Sequence, residues 1–187
     1  MTETPTRQLA EEHEDVLLVV GAMQREAAFI ERTGRVHADR VAQMIDFTRN
    51  FTDGDHHTKE EDLLFPLLEE RSTSAGGTVS VLLSEHEAAR DCIRAIDKAL
   101  PDVGAPEGAR SAEARGVVAE NLRLYAFLLP LHIGKEDTVL FPLTEQVLSV
   151  QEQEMLGDEF ARLGQDGGAH ERYRALAHAL ADAPADG

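Results

Sequence analysis

Leu9, His13, Val16, Val20, Met23, Ala27 and Ile30 follow one another at alternating spacings of four and three residues, the period of one face of an α-helix. The same alternation runs through Val79, Leu82, His86, Ala89, Ile93, Ile96 and Leu100, and again through Val118, Leu122, Tyr125, Leu129, His132, Glu136, Val139 and Leu143. A looser stripe, Val41, Ile45, Thr48, Thr52, His56, Glu60, Leu63 and Leu67, lies between the first two. Strand-type runs of β-branched residues are missing. Four long stripes must cover one another, so the expected fold is all-α, an antiparallel up-down-up-down four-helix bundle with short connections. "RTGR" (32–35), "STSAGGT" (72–78) and "PDVGAPEGARS" (101–111) supply the breaks. Further on, "SVQEQEMLGDEFARL" opens with Ser149 and has Glu152 three residues later, the pattern of a capping box. "GQDGG" (164–168) reads as a flexible break and "AHERYRALAHALADA" as a last short helix. The expected organisation is a bundle over residues 1–148 and a short C-terminal helical appendage over 149–187.

The stripes are not purely apolar. Residues 56–67, "HHTKEEDLLFPL", match residues 132–143, "HIGKEDTVLFPL", at seven of twelve positions. In that alignment His56 pairs with His132 and Glu60 with Glu136, whereas His57 falls on Ile133 and Glu61 on Asp137. "EHE" at 12–14 recurs as "EHE" at 85–87, which pairs His13 with His86. The chain therefore reads as two helix pairs, each carrying Glu-His-Glu followed by His-x-x-Lys-Glu, and an internal repeat is stronger evidence than a lone motif. A histidine and a glutamate four residues apart lie on one helix face and can turn toward one metal centre. On this reading His56 and Glu60 are the working pair and His57 and Glu61 flank them.

His13, His56, Glu60, His86, His132 and Glu136 all fall on the stripes, so four imidazoles and two carboxylates point into the bundle. A bare buried carboxylate costs several kcal/mol unless it is protonated, paired or metal-bound. Two cations remove that difficulty. Nitrogen and carboxylate ligands without thiolate suit iron or manganese, and zinc less specifically.

This combination resembles the haemerythrin-like, or HHE cation-binding, family. The likeness covers about residues 9–143 and rests on His13, His56 with Glu60, His86, His132 with Glu136, and the "LFP" after each pair. It implies a non-haem diiron centre, two iron ions ahead of manganese or zinc, with Glu60 and Glu136 bridging them beside an oxo or hydroxo group. It also implies a small diatomic or peroxide ligand. One departure stands out: oxygen-carrying members have a second histidine four residues away on the third helix, and here those positions are Leu82 and Arg90. Open coordination favours reaction with dioxygen, peroxide or nitric oxide over simple oxygen transport. Tyr125, two turns before His132, is a candidate oxygen ligand or hydrogen-bond partner if Pro130 kinks the helix.

The remaining motifs have plainer readings. Lys59 and Lys135 recur, and lysine beside glutamate reads as a solvated ion pair. Arg90 is expected to pair with surface acids and Cys92 to pack as a small core residue. Pro66 and Pro142, each six residues after its glutamate, mark a helix end or bend. His37 and His178 carry no assigned role, and His170 is placed to fold back on the bundle. The formal charge of −17 disfavours nucleic acid and anionic membranes as partners, and no apolar run approaches a membrane span. The N-terminus has neither the basic start nor the apolar block of a signal peptide, and one cysteine permits no internal disulfide, so a cytoplasmic location is the expectation. Three functions compete: a diiron protein reacting with small oxidants, a ferritin-type iron store, and a metal-dependent iron or oxygen sensor read by a protein partner as yet unknown. No histidine follows a glutamate by three residues, against the ferritin pattern, and His-Glu-x-x-His is absent, against a zinc hydrolase.

Overall fold

The computed structural model describes residues 4–106, 108–164 and 168–184. Helix α1 (Pro5–Thr33) starts where the Thr4 hydroxyl accepts the Arg7 N–H, with Pro5 in the first turn, and ends at Gly34, whose φ of 66° only glycine adopts without strain. α2 (Ala38–Phe47) passes directly into π-helical backbone over Thr48–His57 and Lys59–Leu64, then into α3 (Phe65–Arg71). α4 spans Ala75–Ala99. α5 (Ala109–Lys135) likewise continues through a π-helical turn, Glu136–Leu140, into α6 (Phe141–Val147). α7 (Val150–Leu163) and α8 (Ala169–Asp182) follow, and no strand occurs among the described residues. The flexible break expected at 164–168 falls mostly on 165–167, outside the described residues.

The four long helical segments form a bundle in which α5 packs along both α1 and α4. Its core is two apolar clusters. One gathers around Met23, Phe47, Phe51, Leu122 and Tyr125, the other around Leu9, Leu64, Phe65, Leu82 and Leu140. Between the two, each long segment carries polar side chains that are nonetheless buried: His13, His56, His57, Glu60, His86, His132 and Glu136. No helix among the described residues is long and apolar enough to cross a membrane.

The prolines explain the two π turns that directly precede them, Lys59–Leu64 and Glu136–Leu140. Proline has no N–H and its ring collides with the carbonyl four residues back in an α-helix. Ahead of Pro66, the Phe65 N–H bonds to the Glu60 carbonyl, five residues back, and ahead of Pro142 the Phe141 N–H bonds to the Glu136 carbonyl in the same way. Each proline then sits at the second position of an α segment, where no N–H is missed. Pro130 is accommodated differently. α5 runs through it unbroken, and the Ala126 carbonyl that it deprives of a donor accepts from Gln24 Nε2 at 3.3 Å.

The π backbone also accounts for the loose stripe. More residues per turn bring side chains four apart nearly into line and admit a neighbour to the same face, which is how His56 and His57 are both buried. Gly54 fits this run because a Cβ there would stand 2.9 Å from the Arg49 carbonyl oxygen, five residues back. In an ordinary helix Gly→Ala stabilises by about 1 kcal/mol. Here Gly54→Ala is expected to destabilise by roughly 1–2 kcal/mol through the steric clash, read as a lower denaturant midpoint. A gain in stability would show that the run is α-helical in solution.

α7 begins with the capping box: Ser149 Oγ accepts the Glu152 N–H while Glu152 Oε2 accepts the Ser149 N–H at 2.8 Å. α8 packs against α1 and α2 and adds Tyr173, Ala177 and Leu180 to the larger core cluster.

Candidate metal centre

Four imidazoles share one orientation. Each turns Nδ1 outward to a carboxylate: His13 to Asp137 (2.9 Å), His56 to Glu12 (2.9 Å), His86 to Glu61 (2.6 Å) and His132 to Glu85 (3.0 Å). A carboxylate only accepts, so Nδ1 carries the proton and Nε2 presents its lone pair inward. The inward nitrogens pair up, His13 with His56 at 3.1 Å and His86 with His132 at 2.9 Å.

Two carboxylates complete the layer. Glu60 has Oε1 at 3.6 Å from His56 Nε2 and Oε2 at 3.5 Å from His86 Nε2. Glu136 has Oε2 at 3.3 Å from His13 Nε2 and Oε1 at 3.1 Å from His132 Nε2. Each carboxylate therefore gives one oxygen to each histidine pair. All four oxygens are buried with no hydrogen-bond donor. With neutral imidazoles and ionised carboxylates, lone pairs converge on lone pairs, an arrangement that costs several kcal/mol in a dry core unless protons or cations fill it. Burial and the neighbouring Glu136 push Glu60 far above the usual carboxylate range. Burial also pushes Glu136 up, but His13 and His132 overcome it and hold that group low.

The donor set fits metal ions. His13, His56, Glu60 and Glu136 offer ligand atoms within 4.8 Å of one another, and so do His57, Glu60, His86 and His132. All six residues expected from the stripes thus meet in one layer, as two groups sharing Glu60. Nitrogen and oxygen donors without sulfur suit iron, manganese or zinc.

Three expectations need correction. His57 is not a flanking residue. It is 3% exposed, its ring stacks on that of His86 with centroids 3.7 Å apart, and it belongs to the second ligand group. Its Nδ1 lies 3.3 Å from Asp53. Glu61 is the outer partner of His86 and also binds Arg90 at 2.7 Å. Lys59 is not a solvated lysine: it is 1% exposed, and its Nζ donates to Glu12 and Asp55. The repeat held part of this signal, because the outer carboxylates obey it. Glu12 answers Glu85 in the two "EHE" motifs, and Glu61 answers Asp137.

Tyr125 is buried, and burial pushes its phenol up, partly offset by the Thr48 and Thr52 hydroxyls beside it. It lines a cavity of about 100 Å³ together with His57, Asp53, Ala89, Ile93 and Arg90. Arg90 spans Asp53, Glu61 and Glu87, and Cys92 is buried in the core.

A helical bundle with a buried layer of convergent imidazoles and carboxylates defines a cation-binding protein. The chain belongs to the hemerythrin HHE cation-binding domain family, whose model matches residues 4–144. It is also 28% identical, over 155 residues, to an uncharacterized protein of Mycobacterium bovis and to uncharacterized proteins of two strains of Mycobacterium tuberculosis. The match covers 79% of this chain but 58% of those relatives. No solved structure matches the chain.

Proposed function

We propose that this is a cytoplasmic non-haem diiron protein, an antiparallel up-down-up-down bundle that binds or reacts with dioxygen, peroxide or nitric oxide. One observation carries the reading: two buried carboxylates divide their four donor-free oxygens evenly between two histidine pairs. That division suits two cations sharing both carboxylates better than it suits one. A pair of irons would supply electrons and a Lewis-acidic point of attachment for a small oxidant.

The chain's own residues set the conditions. The outer carboxylates fix the direction of each imidazole and raise its basicity. Leu82 and Arg90 bring no donor to the third helix: Leu82 is core, and Arg90 is engaged with Asp53 and Glu61. The cavity at His57 and Tyr125 has room for a few atoms only, which favours diatomics and peroxide over larger substrates.

Anaerobic loading with ferrous iron, metal counting, and optical spectra on exposure to dioxygen, peroxide and nitric oxide test the reading. Two irons per chain and oxo-to-iron charge-transfer bands are expected. One iron per chain, or spectra indifferent to all three reagents, would overturn it.

A further inference from the structure

The two halves of the repeat diverge at one place. In the second half, Glu85 accepts from His132 Nδ1 (3.0 Å) and Lys135 Nζ (2.5 Å), and the cluster ends there with Lys135 39% exposed. In the first half, Glu12 accepts from His56 Nδ1 (2.9 Å) and Lys59 Nζ (2.6 Å), but fully buried Lys59 donates onward to Asp55 Oδ2 at 2.7 Å. His170, on α8, places Nδ1 3.6 Å from that same Asp55 oxygen, an ion-pair contact of the protonated imidazole rather than a hydrogen bond. The repeat puts Leu131, an exposed side chain, where Asp55 stands.

α8 is anchored around this contact. The His170 ring lies 5.1 Å from that of Phe51, and Tyr173 packs against Phe47 and Phe51. Arg174 reaches the buried Asp15 of α1 at 3.2 Å. Arg25 of α1 donates to the Leu180 and Ala181 carbonyls and so closes the last turn of α8.

We propose that α8 is a positioning element of the metal centre: His170 holds Asp55, Asp55 and Glu12 share the Lys59 ammonium, and Glu12 holds His56 toward one cation position and not the other. The proposal rests on the reading of two cation positions but on no reaction of theirs. A buried ammonium needs both of its carboxylates in place. If Asp55 swings away, Lys59 is drawn wholly to Glu12, and the imidazole of His56 loses the partner that fixes its tautomer and direction. Outer partners of this kind change metal affinity 10- to 100-fold. The helix beyond the matched family domain would then decide how firmly one metal ion is kept.

The test follows iron release from full-length, ferrous-loaded protein to an excess of ferrous chelator without oxygen. His170→Ala and Lys59→Met are expected to speed the departure of one iron tenfold or more and leave the other unchanged. His170→Arg, which keeps a cation facing Asp55, is expected to restore most of the wild-type rate, and Lys135→Met to leave the affected iron untouched. Release of both irons accelerated alike in His170→Ala would mean general loosening and overturn the proposal, as would no change in either. Should Lys59→Met not fold, His170→Ala decides alone, since His170 is a third exposed. An iron count of one, or indifference to oxidants, bears on the proposed function, whereas the release rate tests α8.

Discussion

If two cations share the layer as proposed, replacing Glu136 with Ala is expected to empty both positions rather than one. Its Oε1 and Oε2 face His132 and His13, members of different histidine pairs, at 3.1 and 3.3 Å. The substitution takes one donor and a share of negative charge from each position, and Glu60, left alone, cannot replace either. Affinity is expected to fall at least 100-fold at each position, more than an outer-partner change costs, and elemental analysis should find iron near zero per chain. His13→Ala is the contrast, since His13 faces only one pair, and about one iron per chain is expected to remain. Stability moves the other way in chelator-stripped protein. Glu60 there is a buried acid without donors, so Glu60→Gln is expected to raise the thermal midpoint of the stripped protein while abolishing loading, the usual conflict between a strained site and a stable fold. A stripped variant no more stable than the parent would show that the two carboxylates are already relieved by a shared proton.

Stripped protein is expected to be most stable near pH 6.5 and to weaken on both sides. His13 is desolvated, yet Asp137 and Glu136 raise it from 6.5 to about 9. Its contribution, roughly 3 kcal/mol, is complete below pH 6.5 and is lost as pH rises through 9. Burial lowers His56, His57 and His86 instead. The unfolded chain takes up those protons first, so stability falls as pH drops below 6.5. Glu12, held at about 2 by His56 and Lys59 against burial, adds a further roughly 3 kcal/mol that is present above pH 4.5 and lost on approach to 2. Thermal scans from pH 4 to 9 check the shape: stability is expected to fall below pH 6.5 as the three imidazoles act, and above it as His13 and the raised Glu60 act together. Metal loading must displace the His13 proton, so affinity is expected to climb with pH up to about 9. A stability maximum above pH 8 would contradict the His13 assignment.

The sequence made the helices and the six convergent side chains legible for one reason: α-helical spacing and an internal repeat point to the same residues. His57 escaped because the spacing argument assumed an α-helix where the backbone is π-helical. Three signs stood nearby, namely the run of fours Thr48, Thr52, His56, Glu60, the glycine at 54, and Pro66 six residues after Glu60. Lys59 escaped because its burial depends on Asp55, and Asp55 has no counterpart in the repeat. That His170 folds back on the bundle was legible, but the rest of the seat of α8 was not. Contacts such as Arg174 with Asp15, 159 residues apart, leave no local pattern.

The histidines and their outer partners have a consequence for assembly. His56 and His132 find their partners within their own halves, but His13 leans on Asp137 and His86 on Glu61, each across to the other half. Neither helix pair alone presents more than three of the four donors of a group, or more than one of the two buried carboxylates. The full donor set is therefore complete only once the halves have docked, and a captured ion would tie together stretches of chain some 76 residues apart. Bound cations would stabilise the protein by mass action on the docked state, at the seam between its two halves.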